Sequence, residues 1–172
     1  AAGIVEWGPH GGRGGKLAGG VELWDVEQAR LLRSITDDKP VTFLKFSFDG
    51  KQVMTSWNDG PVKLWDTATG ELNRLFPGRM GADMSPDSEF IACVSATAAS
   101  DKAIGTIDLF RSKDGSKLRS FTSERGSSAS WLLWVTFSPN GRLLAATDWN
   151  GTVSVWDVDS GKLQHSTKDS TA

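Results

Sequence analysis

The sequence predicts an all-β fold made of four copies of one short unit, and three observations predict it. A five-residue motif recurs as V-E-L-W-D at residues 21–25, V-K-L-W-D at 62–66 and V-S-V-W-D at 153–157, with a degenerate copy, I-D-L-F-R, at 107–111. Turn signals recur in step with it: Ser47-Phe48-Asp49-Gly50, Ser85-Pro86-Asp87-Ser88 and Ser138-Pro139-Asn140-Gly141. No stretch sustains a helical period with caps at both ends. The aromatic anchors Trp24, Trp65, Phe110 and Trp156 stand 41, 45 and 46 residues apart, a period typical of repeat architectures.

Each element follows from local chemistry, most clearly in the second copy. Residues 41–47 are β-branched and aromatic, and Phe48-Asp49-Gly50 turns the chain. Residues 51–57 form a second strand, after which Asn58-Asp59-Gly60 is a strong hairpin signal. Residues 62–66 form the third strand, 67–70 turn again, and 71–76 close an antiparallel unit of four strands. Five residues before each anchor stands a glycine, Gly19, Gly60, Gly105 or Gly151, which places it in the second-to-third-strand turn. Five residues after come Ala29, Gly70, Gly115 and Gly161.

This pattern resembles the WD-repeat β-propeller family, whose repeats of about 40–45 residues each fold as a four-stranded blade. The resemblance covers nearly the whole chain. It implies an arc of four four-stranded antiparallel blades within a partial propeller at residues 1–168. The blades fall near residues 1–36, 37–77, 78–121 and 122–168, with a polar tail at 169–172. The first blade is incomplete: residues 20–25 and 30–35 supply its third and fourth strands, residues 3–7 a second, and its innermost strand is missing. The Gly-His dipeptide usual before the first strand of such a blade is absent throughout, so the buried polar tetrad that its His helps form is incomplete. Of the family's turn aspartates, Asp59 is present and Asn150 substitutes, whereas Ala18 and Ile104 cannot.

Four blades fall short of the family's usual seven or eight. A bare blade face of roughly 400 Å² left wet forgoes about 10 kcal/mol, comparable with a domain's net stability. The expectation is therefore an arc belonging to a larger ring, completed by more of a longer chain, by another propeller-forming chain or by a second copy. A closed four-bladed ring is the least favoured arrangement. The sequence opens at Ala1 with neither an initiator methionine nor a charged-then-apolar leader. Processing and proteolysis both remain open, including removal of a signal peptide, and a cytoplasmic site is only slightly favoured.

Composition narrows the function. Nineteen basic and twenty-one acidic side chains leave a net charge of −2, which disfavours wholesale phosphate-backbone binding and hence nucleic acid. No apolar run, that at 131–135 included, exceeds five residues, far too few to span a bilayer. One cysteine, Cys93, excludes an intrachain disulfide. With only His10 and His165 besides, neither a metal nor a cofactor site is expected. Gly11-Gly12-Arg13-Gly14-Gly15-Lys16 invites a phosphate-loop reading and fails it, because Leu17 follows the lysine and no strand-to-helix context exists. No G-x-S-x-G nucleophile turn occurs. The chain reads as a non-catalytic platform that binds protein partners; the alternatives are a structural subunit or propeller fragment whose exposed blade faces complete a ring with another chain and, less favoured, a propeller enzyme or small-ligand binder.

Loop lengths suggest where. First-to-second and third-to-fourth turns lie at one end of a blade; second-to-third turns and blade crossings lie at the other. Only the second group grows, at residues 9–19, 95–103 and 122–130, and loops on a rigid scaffold are where binding residues concentrate. Candidate contact residues on that rim are Trp149, Asn58, Arg13, Lys16, Trp131 and Arg125, with Trp134 bordering the same loop. Trp24, Trp65 and Trp156 are read instead as core.

Overall fold

The structure, a computed structural model, describes residues 19–37, 39–57, 60–78, 81–96, 105–122 and 132–168. Fourteen strands and no helix lie among the described residues. β1 (Gly19–Asp25) and β2 (Arg30–Asp37) form a two-stranded sheet. β3 (Phe43–Phe46), β4 (Gln52–Ser56), β5 (Val62–Asp66) and β6 (Leu72–Phe76) form a four-stranded one. A third contains β7 (Ala82–Met84), β8 (Phe90–Ala96), β9 (Gly105–Arg111) and β10 (Lys117–Thr122). The fourth contains β11 (Leu132–Phe137), β12 (Leu143–Asp148), β13 (Thr152–Asp157) and β14 (Leu163–Lys168). Sequential strands pair antiparallel in every sheet. These are propeller blades.

The tight turns repeat their chemistry. Gly50, Ser88 and Gly141 each donate a backbone N–H to the carbonyl of Ser47, Ser85 or Ser138. The same serine hydroxyls bond Asp49, Asp87 and Asn140. After the third strand, Gly70, Gly115 and Gly161 close five-residue turns with φ of 75°, 75° and 72°. Ala29 takes the corresponding place with φ 47°. A left-handed residue is needed to turn the chain back, and glycine adopts that conformation at no steric cost. In all four blades the register slips beside the anchor, so the fourth strand carries one extra residue there. That is a β-bulge, which sharpens local twist.

The glycines before the anchors serve three different ends. Gly151 sits in its turn with φ 76°. Gly60 is in a turn but not left-handed; a Cβ there would come within 1.3 Å of Trp57 Nε1, so the indole fills the space. Gly19 and Gly105 lie not in turns but at the first positions of β1 and β9, paired with Asp37 and Ala96. A Cβ on Gly19 would meet the Lys39 carbonyl at 2.0 Å, so close backbone approach explains that glycine. The expected strand at residues 3–7 and turn residue Asp59 lie outside the described residues.

Packing runs from blade to blade. Val62, Leu64 and Phe76 of one blade lie against Ala82, Met84, Ile91, Cys93 and Phe110 of the next. Val21, Leu23 and Ile35 cover Val41, Val53 and Trp65 in the same way, and Ile107, Leu109 and Phe121 cover Leu132, Leu144 and Trp156. Trp65, Phe110 and Trp156 therefore each belong to the seam with the preceding blade. Burying a ring such as Phe76, 5.7 Å from Phe110, contributes about 1.5–3 kcal/mol. Trp65, Phe110 and Trp156 are buried as expected, but Trp24 is only half-buried, its indole donating to Glu22 Oε2. None of the described blades lies over it.

Polar residues beneath the anchors are matched one by one. Trp65 Nε1 donates to Thr55 Oγ1 at 2.8 Å. At the positions equivalent to Thr55 the next blades carry Cys93 and Ala146. Phe110 has no N–H to satisfy, and Trp156 Nε1 donates to the Thr122 carbonyl at 3.3 Å instead. Among the described residues no buried side-chain polar atom lacks a partner.

Candidate functional site

The end of the blades where second strands meet third strands gathers aromatic side chains. Trp149 follows β12 directly and is 74% exposed; Trp134, near the start of β11, is 55% exposed. Phe43 opens β3 and lies 6.1 Å from Trp134, ring planes tilted by 59°. That pair joins two blades that are not neighbours in the chain, across the inner strands. Trp57 follows β4, with Lys39 Nζ 5.3 Å from its ring centroid, a cation–π contact. Four aromatics and a lysine thus share one rim. The opposite rim has one exposed aromatic among the described residues, Phe48, at 89%.

Beneath the aromatic rim the inner strands are tied by one carboxylate. Asp83 of β7 is buried and receives Lys45 Nζ from β3 at 2.5 Å. Its other oxygen accepts the Phe137 N–H at 2.7 Å and the Thr136 hydroxyl at 3.1 Å, both from β11. Three blades meet on this side chain. A second carboxylate, Asp37 at the end of β2, receives Lys63 Nζ from β5. Asp108 of β9 receives Lys117 Nζ and the hydroxyls of Ser95 and Ser120. Each of these carboxylates is engaged by structural donors, which suits it to holding strands together. Asp148 likewise caps the turn beneath Trp149, accepting the N–H groups of Asn150 and Thr152.

Of the residues proposed from sequence, Trp149 stands exposed on this rim. Asn58, Arg13, Lys16, Trp131 and Arg125 lie outside the described residues. Phe43, Trp57 and Lys39 were not anticipated. Trp57 stands eight residues before its anchor and Trp149 seven, so aligning the two blades on their anchors pairs Trp149 with Asn58 and passes over Trp57. Cys93 is a poor nucleophile here: burial, with a smaller contribution from nearby Asp108, pushes its thiol up out of the physiological range. Among the described residues no group of His, Cys, Asp and Glu could hold a metal ion, and no helix is long and apolar enough to cross a membrane.

A family model described as WD domain, G-beta repeat, matches residues 115–157. The chain is 28% identical over 151 residues to autophagy-related protein 16 of Arabidopsis thaliana, an alignment covering 83% of this chain and 28% of that protein. It is 28% identical over 145 residues to COMPASS component SWD3 of Saccharomyces cerevisiae, covering 82% and 45%. It is 29% identical over 164 residues to WD repeat-containing protein VIP3 of Arabidopsis thaliana, covering 88% and 50%. The chain therefore spans half or less of the length of these relatives.

Proposed function

We propose that this chain, which is similar to WD-repeat proteins, is a non-catalytic platform for protein partners, engaged through its aromatic rim. The observation that carries the reading is the clustering of Phe43, Trp57, Trp134 and Trp149 at one end of the blades, with Trp134 and Trp149 more than half exposed. Exposed aromatics grouped on rigid strands are costly to leave in water and typical of interface hot spots. Loop growth in the sequence falls at the same end. One relative is by name a component of a complex, which supports a role in assembly. The same proposal takes residues 1–36, 37–77, 78–121 and 122–168 as the blades and Asn58, Arg13, Lys16, Trp131 and Arg125 as further contact residues.

The test is affinity for a partner isolated from native extract. Trp149→Ala is expected to weaken it at least about thirtyfold, the value of one aromatic hot spot, with the far-ultraviolet circular dichroism unchanged. Asp49→Ala and Lys162→Ala on the tight-turn rim are expected to do little. Loss of binding in those two, with Trp149→Ala unaffected, would place the site at the other end.

A further inference from the structure

We infer that Asn150 is a modification site, at which the side-chain amide is lost to attack by the Gly151 backbone nitrogen, and that the parallel residue Asn140 is protected from the same loss. The inference concerns the chemistry of one turn and does not depend on the reading of the aromatic rim as a binding surface.

Of the chain's four asparagines, Asn140 and Asn150 are each followed by glycine. Glycine has no side chain to shield its nitrogen and the freest backbone, so that nitrogen reaches the preceding asparagine Cγ most readily. The two turns match in backbone. Gly141 donates its N–H to the Ser138 carbonyl and Gly151 to the Asp148 carbonyl, and both glycines are left-handed, with φ of 71° and 76°. Both asparagines are exposed, so access of water does not separate them.

What separates them is how each side chain and each nitrogen is held. Asn140 Oδ1 accepts the Ser138 hydroxyl at 2.7 Å and the Arg142 N–H at 3.1 Å. In the other turn Asp148 takes that role, accepting the Asn150 N–H at 2.9 Å and the Thr152 N–H at 2.8 Å. The Asn150 amide is left with no hydrogen-bond partner among the described residues. The Gly141 hydrogen bond is 2.8 Å long and that of Gly151 is 3.2 Å. A Cβ on Gly141 would meet Pro86 Cδ of the neighbouring blade at 3.6 Å, whereas one on Gly151 would meet nothing within 4 Å. Closing a ring at Asn150 therefore gives up one long hydrogen bond in open space. At Asn140 it gives up a shorter one and two more on the side chain, beside a packed neighbour.

The reaction needs only water and hydroxide. The Gly151 nitrogen gives its proton to hydroxide and attacks Asn150 Cγ. As that bond forms, the bond from Cγ to the amide nitrogen breaks, and the amide leaves as ammonia after taking a proton from water, which returns the hydroxide. Water then opens one of the two C–N bonds of the resulting cyclic imide, its hydroxyl going to carbon and its hydrogen to nitrogen, and the new acid ionises. Opening at Cγ leaves an ordinary aspartate six residues before the anchor, the place Asp59 holds in its own repeat. Opening at the backbone carbonyl leaves an isoaspartate, whose main chain runs through the side-chain carbon and gains an atom within the turn. Either product sets a new carboxylate beside the exposed Trp149.

Peptide mapping by mass spectrometry tests this on the whole 172-residue chain, aged in water enriched in heavy oxygen. Heavy oxygen is expected to enter at position 150, divided between aspartate and isoaspartate. Its entry there should be at least about tenfold faster than at position 140, a ratio that the two extra hydrogen bonds on Asn140 support. The rate should rise from mildly acidic to mildly alkaline buffer, because the attacking nitrogen must lose a proton. In concentrated urea, where neither turn exists, the two positions should label at similar rates. Asn150→Gln, whose longer side chain closes a larger and slower ring, should stop labelling at 150 and leave it unchanged at 140. Equal labelling of the two positions in the folded chain overturns the inference, as does faster labelling at 140. So does a preference for 150 that persists in urea, or a rate at 150 indifferent to pH or to Asn150→Gln.

Discussion

The outer and inner margins of the blades are built on opposite plans. Outside, each junction repeats one device: an arginine of the fourth strand clasping a glycine turn of the next blade. Inside, β3, β7 and β11 meet on the single side chain of Asp83, and the described strands show no second copy of that arrangement. Repetition spreads stability over many small ties. A unique buried carboxylate concentrates it, so the two margins should respond differently to substitution.

The largest effect is expected at Asp83. Asp83→Ala strands the buried Phe137 N–H and removes the acceptor for Lys45 and Thr136. Losing bonds to a charged acceptor and leaving a buried donor unsatisfied costs about 2–3 kcal/mol, read as a lowered midpoint in urea unfolding. A smaller loss would mean that the inner strands do not depend on one residue. Next comes Gly115→Ala at the outer margin, where φ is 75° and Arg74 lies alongside. Left-handed backbone costs a non-glycine residue about 1–2 kcal/mol, and unfolding midpoints should report that loss. A cost equal to that at Asp83 would erase the contrast between the margins.

The smallest effect belongs to the turn aspartates. Backbone N–H groups, from Thr69 first, hold the Asp66 carboxyl below its ordinary value; at Asp157 the Ser160 hydroxyl leads and its N–H follows. A carboxyl whose folded value is depressed contributes stability above the unfolded value, near pH 4, and loses it as pH falls through the folded value. Both carboxylates lie at the surface on half-buried residues, so the contribution is small. Asp66→Asn with Asp157→Asn should make the urea midpoint slightly less sensitive to pH between 5 and 2.5. An unchanged slope would remove these carboxylates from the outer margin's account.

The outer margin was legible in the sequence because it is local and periodic. The anchors, the serine-led turns and the glycines five residues after three of the anchors all show at one spacing, and the strands formed there. The arginine clasp shares this spacing, Arg33, Arg74 and Arg119 each standing nine residues after an anchor, but the sequence analysis did not single it out. Without a structure they read as surface charge. The inner margin was not legible. Asp83 bonds Lys45 and Phe137, and Phe43 meets Trp134, through contacts that join different repeats and leave no period to detect. The glycines before the anchors show a further limit: one spacing concealed a left-handed turn, a space filled by an indole and a close backbone approach. Trp149 stands exposed where the sequence placed it, whereas the enlarged loops lie almost wholly outside the described residues, and the pairing of Phe43 with Trp134 depends on how blades are set around the inner strands.

The seam between the second and third blades holds the chain's one thiol. Cys93 is fully buried beside Phe110, within 3.5 Å of where a Cβ on Gly78 would stand. No reagent reaches that sulfur until the seam parts. Its rate of modification by a small disulfide therefore serves as a clock for the opening of one interior boundary, distinct from unfolding of the whole. The molecule carries its own stopwatch, set at the place where one blade leans on the next.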